Sequence, residues 1–110
     1  MCFYVILWIT FMRPADASCP VARIATLLGD HCSLLIVRDL LDGPKRFCEL
    51  ESSLGVSTRT LTSKLKNLER EGILLRQVTT KTHIEYSLTP KGAGLKDIIH
   101  AARMYGEQYL

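Results

Sequence analysis

The chain has 110 residues, 47% of them hydrophobic and 23% charged, which suits one small globular unit and excludes a disordered or low-complexity polymer. A core of that size is modest, so part of its apolar surface is expected to be covered by a second copy. The net charge is only +3, but it is unevenly spread: residues 45–81 hold eight Lys/Arg against four acids, while residues 1–44 hold three against four and residues 82–110 three against three.

Clustered basic charge is the footprint of a partner that carries phosphates, and equally of a plain solvated surface; charge alone does not choose. The four cysteines, Cys2, Cys19, Cys32 and Cys48, form no CxxC and no close framework, and His31, His83 and His100 are dispersed. Neither a disulfide scaffold nor a metal site is expected, and reduced thiols point to a cytoplasmic protein.

The opening run "MCFYVILWITFM" is too short to span a bilayer. "ADA" at 15–17 has the form of a signal-peptide cleavage site, but no positive charge precedes the run and Arg13-Pro14 interrupts it. Residues 1–18 are therefore expected to be an extension, with Met12 as the true start, and residues 19–110 the domain.

"CPVARIATLLGD" predicts a helix with Pro20 at its first position, where a missing N–H costs nothing, and Val21, Ile24, Ala25 and Leu28 on one face. Gly29 breaks it and Asp30 is placed to cap a second helix, "HCSLLIVRDLL". Leu34, Leu35, Ile36, Val37, Leu40 and Leu41 make that helix apolar on most sides, so it belongs at the centre. "KRFCELESSLGV" predicts a short helix with Phe47, Leu50 and Leu54 inward, stopped by Gly55. Cys32 and Cys48 fall within helical patterns as small core fillers.

Ser57 then offers its hydroxyl to cap another helix, "TRTLTSKLKNLER". Two short helices joined through a tight Gly-containing turn form a helix-turn-helix. On the second, Leu61, Leu65 and Leu68 recur at i, i+4 and i+7 and fix the buried face. Arg59, Ser63, Lys66, Asn67 and Arg70 lie opposite, flanked by Thr60, Thr62 and Lys64. "GILLRQVTT" and "THIEYSLT" alternate and are rich in β-branched residues, predicting two strands with Lys81-Thr82 near their turn. Thr89-Pro90 starts a last helix to Leu110, along which Leu95, Ile98, Ile99, Ala102, Tyr105 and Tyr109 form one stripe. A stripe this long predicts a dimer interface.

The fold class expected is thus mainly α with a small β-hairpin: a winged helix-turn-helix, with terminal helices for dimerisation. A duplex major groove admits one helix, whose polar residues read base edges, and the hairpin tip reaches the backbone. Arg59, near the helix start, suits base reading, and Ser57, Thr58, Thr60, Thr62, Ser63, Lys64 and Asn67 complete the candidate DNA-binding surface. Lys45, Lys66, Lys81 and His83 suit phosphates, which position without specifying.

Four stretches, "CPV" at 19–21, "LLIVRDLLDGPKRFCEL" at 34–50, "LTSKLKNLEREGIL" at 61–74 and "IEYSLTPKG" at 84–92, together resemble the HxlR-type winged-helix transcriptional regulators, relatives of the MarR group. The resemblance runs from Cys19 to Leu110. It implies a homodimer paired through its terminal helices, set on a palindromic operator in double-stranded DNA, activating or repressing a nearby gene. Some members sense electrophiles or oxidants through a cysteine before a proline near the N-terminus, which Cys19 matches; the competing reading is that Cys19 merely packs. Two stretches depart from the family pattern. "GDHC" at 29–32 stands where Gly-Gly-Lys-Trp is usual, and the loop between Val78 and Ile84 is shorter and lacks prolines.

No nucleophile–base–acid arrangement or Gly-rich phosphate loop is present, so neither an enzyme nor a cofactor is expected. The rival from another class is a winged helix used only for protein–protein contact, without DNA binding. Such a surface calls for exposed aromatic or aliphatic residues between Arg59 and Lys66, where this chain is cationic and hydroxylic.

Overall fold

The structure, a computed structural model, describes residues 19–110. The expectations for the N-terminal run, including a start at Met12, lie outside the described residues. The chain groups into two compact units, one ending at Asp30 and one from His31 to Leu110.

In the first unit, α1 (Pro20–Leu28) carries Pro20 in its first turn as expected, with Cys19 at the N-cap in extended conformation. Val21 stays exposed, so the predicted apolar face is not uniformly covered.

The second unit runs α2 (His31–Leu40), β1 (Lys45–Arg46), α3 (Phe47–Leu54), α4 (Thr58–Arg70), β2 (Leu74–Thr80), β3 (His83–Leu88), α5 (Pro90–Ala93) and α6 (Lys96–Tyr109). Its core is drawn from every element except β1: Cys32, Ile36, Val37 and Leu40 of α2, Leu50 of α3, the three leucines of α4, Ile73 and Leu74, Tyr86, Gly92 at α5, and Leu95 with Ile99. Helix α2 is central, contacting α3, α4, α6 and β3. Leu34 and Leu35 are only half-buried, because they face a groove toward α6.

Four local expectations are corrected. The hairpin is part of a three-stranded antiparallel sheet of order β1-β3-β2, because Lys45 pairs with Tyr86 and Arg46 with Glu85. Cys48 is exposed rather than a core filler: two positions before Leu50, about 200° away round the helix, it looks outward. The last helix is broken into α5 and α6, with the chain between them at Gly94 and Leu95. Leu95 and Ile99, assigned to a dimer interface, are buried within their own chain at 7% and 6% exposure.

The motif residues around "SLTPKG" act as a clamp on the end of α4. Gly72, at φ 76°, turns the chain out of α4, a left-handed conformation that favours glycine. Thr89 Oγ1 accepts from the Gly92 N–H at 3.0 Å and donates to the Gly72 carbonyl at 2.6 Å. Lys91 Nζ donates to the Glu71 carbonyl at 2.8 Å, placing a cation at the negative end of the helix. Gly92 lies so close to the chain that a Cβ there would stand 2.1 Å from the Ile73 carbonyl oxygen.

Candidate nucleic-acid interface

Helix α4 is built for its position at both ends. Ser57 is its N-cap, accepting from the Thr60 N–H at 3.1 Å. Gly55, at φ 65°, closes α3 and makes the tight turn between the two helices. Thr58 at the first position of α4 donates its hydroxyl to Glu51 Oε2 of α3 at 2.5 Å, bracing one helix of the motif against the other. Leu61, Leu65 and Leu68 are 0–2% exposed and dock the helix on the core. Its opposite face, with Arg59, Ser63, Lys66 and Arg70, is exposed to solvent.

The structure divides the hydroxyls that the sequence groups together. Ser57 Oγ donates to Thr60 Oγ1 at 2.9 Å while capping the helix, Thr58 is held by Glu51, and Thr62 Oγ1 donates to the Thr58 carbonyl at 2.7 Å. Those three have committed their protons internally. Thr60 keeps its proton for an outside acceptor, and the Ser63 hydroxyl makes no bond among the described residues. Arg59 and Lys66 likewise form no ion pair among the described residues, so their charge is open to a partner. Asn67 and Lys64 are half-buried flanks of this face.

At the hairpin, Lys81 is exposed in the turn between β2 and β3. His83 is less available than expected, because its Nε2 lies 2.6 Å from Glu85 Oε1. Lys45 is not gathered with the others; it is half-buried in β1 beside a depression lined by Asp39, Asp42 and Glu49. Sequence reasoning passed over Arg76. It sits on β2 opposite Tyr86 and lines a cleft of about 560 Å³ between α4 and the sheet, together with Phe47, Thr62, Leu65, Lys66, Glu69 and Tyr86. Only the register of the strands shows which way it faces.

A second feature is formed by α2 and α6. A groove of about 270 Å³ between α2 and α6 is lined by Leu34, Leu35, Arg38, Ile99, Ala102 and Arg103. Beyond it, Ile98, Met104, Tyr105 and Tyr109 are 41–63% exposed, an uncommon density of large apolar side chains on one helix. The Tyr105 and Tyr109 rings lie 4.9 Å apart between centroids. No single helix among the described residues is long and apolar enough to cross a membrane.

Comparison with known proteins agrees with this geometry. Residues 27–110 match the HxlR-like helix-turn-helix family. Among curated relatives, the HTH-type transcriptional regulator sll1512 of Synechocystis is 36% identical over 95 residues, covering 84% of this chain and 70% of that one. The HTH-type transcriptional regulator YodB of Bacillus subtilis is 36% identical over 98 residues, covering 86% and 88%. Among solved structures, the redox regulator HypR in its reduced form is 31% identical with a TM-score of 0.78, covering 82% of this chain and 92% of that one. Quinone-bound YodB is 34% identical with a TM-score of 0.73, covering 83% and 99%. The chain belongs to the HxlR-like helix-turn-helix family, and it is a winged-helix, DNA-binding transcriptional regulator.

Proposed function

We propose that the protein acts as a cytoplasmic homodimer on a palindromic duplex operator, with α4 read into the major groove and the hairpin laid along the backbone. The observation that carries the DNA assignment is the solvent face of α4. Arg59, Ser63 and Lys66 are exposed, and neither cation is paired within the described residues. An apolar docking surface would place aliphatic or aromatic groups there, and α4 keeps its leucines inward. This favours DNA over the protein–protein alternative.

The exposed apolar half of α6 and the groove it forms with α2 support pairing of two copies. Two-fold pairing presents two reading helices, and dimers of this kind bind half-sites about 10–10.5 base pairs apart, or multiples of that. Selection of bound duplexes from a random pool tests both parts. Enrichment of inverted half-sites at a fixed spacing supports the reading, and recovery of a single unpaired site argues against the dimer.

A thiol response would act at Cys19. Cys19 is free, partly exposed and at the N-cap of α1, where no side-chain hydrogen bond occupies it. The relatives include a redox regulator and a protein solved with quinone bound. Loss of operator affinity on diamide treatment of the wild type, absent in Cys19→Ser, would establish the sensor; an identical response in both would assign Cys19 to packing.

A further inference from the structure

We infer that the cleft between α4 and the sheet seats a phosphate of the DNA backbone, with Arg76 as a positioning contact alongside Lys66. This rests on the DNA-binding reading and adds to it a residue and a place for the strand that borders the groove.

The strand register supplies the geometry. Arg76 of β2 pairs with Tyr86 of β3. Residues directly opposite in an antiparallel pair share a face of the sheet, so Arg76 looks the same way as Tyr86. Tyr86 is 8% exposed and faces the core, so Arg76 is turned toward the helices rather than away from them. Two residue pairs along the ladder, Leu74 on the same face is buried, whereas Arg76 has passed the edge of the packed interior and is exposed. The sheet therefore delivers a guanidinium into the opening beside α4.

The helix supplies the second cation. At 100° per residue, Thr62, Lys66 and Glu69 lie on the flank of α4 that faces the sheet, and Lys66 stands at the border between this flank and the reading face of Arg59 and Ser63. A backbone strand running along the edge of a groove occupied by α4 passes that border. Two cations meet there, and among the described residues neither has an ion-pair partner, although Glu69 lines the same cleft. A guanidinium binds phosphate oxygens through two parallel N–H donors and an ammonium through a point charge, so the pair suits one tetrahedral anion. The apolar and aromatic part of the lining, Phe47, Leu65 and Tyr86, offers no competing anion.

The test is the salt dependence of duplex binding by the full chain, followed by fluorescence anisotropy with a labelled random duplex. Each backbone phosphate neutralised contributes about 0.9 to the slope of log affinity against log salt on B-DNA. Arg76→Gln should lower that slope by part of this value, because Lys66 still meets the same phosphate, and Arg76→Gln combined with Lys66→Gln by an amount approaching it; Arg76→Lys should restore most of the single loss, and Lys96→Gln, on α6, should leave the slope unchanged. Circular dichroism of each variant verifies folding. Wild-type binding with an unchanged slope in Arg76→Gln would overturn the phosphate seat alone. A slope lost equally in Arg76→Lys would also overturn it, since it would mark a packing role that charge does not rescue. Absence of salt-dependent binding by the wild type would instead defeat the DNA reading, and this inference with it.

Discussion

Truncating the leucines that dock α4 should separate stability from recognition. Leu68 is 0% exposed and Leu65 is 2% exposed, and each loses three carbon atoms on replacement by alanine. Large-to-small substitutions of this kind cost roughly 2–5 kcal/mol, rising with the cavity left behind. Leu65 borders the open cleft against the sheet, so neighbours and water can enter the vacated space; Leu68 does not line it. Leu65→Ala should therefore fall near the low end, about 2–3 kcal/mol, and Leu68→Ala higher, about 3–5 kcal/mol. Arg59→Ala removes an exposed side chain without an ion pair among the described residues and should stay within about 0.5 kcal/mol. Urea unfolding at fixed protein concentration measures all three, since the proposed dimerisation would make apparent stability depend on concentration. A loss of 2 kcal/mol or more in Arg59→Ala, or a neutral Leu68→Ala, would refute the assignment of inner and outer faces.

Gly92→Ala should destabilise by at least about 1–3 kcal/mol, the usual cost of overpacking, since the new Cβ would collide with the Ile73 carbonyl that also receives Thr89; thermal unfolding reads it. Arg59→Ala should reduce discrimination between operator and random duplex by about 1–3 kcal/mol, whereas Lys66→Ala should weaken both alike, because phosphate contacts carry no sequence information; parallel titrations with the two duplexes compare them. Tyr105→Arg combined with Tyr109→Arg should yield monomers in sedimentation while leaving the circular dichroism spectrum unchanged, as both rings are exposed within the single chain.

Much of this architecture is legible in the sequence because local signals and burial agree. The Ser57 cap, the Gly55 turn and the leucine spacing of α4 each report a backbone requirement that a few neighbouring residues determine. Strand β1 escaped because two residues, Lys45 and Arg46, are too few to show alternation, and only their pairing with β3 makes them a strand. The break before α6 was hidden by a hydrophobic stripe that continues through Leu95, although that residue serves its own core. Within the site, a run of hydroxyls reads as one polar surface, yet the partner of Thr58 is Glu51, seven positions earlier and on another helix. The direction of Arg76 depends on strand register, which no single segment encodes.

The most direct measurement is a backbone amide NMR titration of the protein with duplex DNA at low salt. Shift changes concentrated between Thr58 and Asn67 and around Lys81, with the exposed end of α6 unaffected, are the result expected from a docked helix that offers Arg59, Ser63 and Lys66 to the groove. Changes confined to α6 and the groove it shares with α2, with α4 silent, would contradict it.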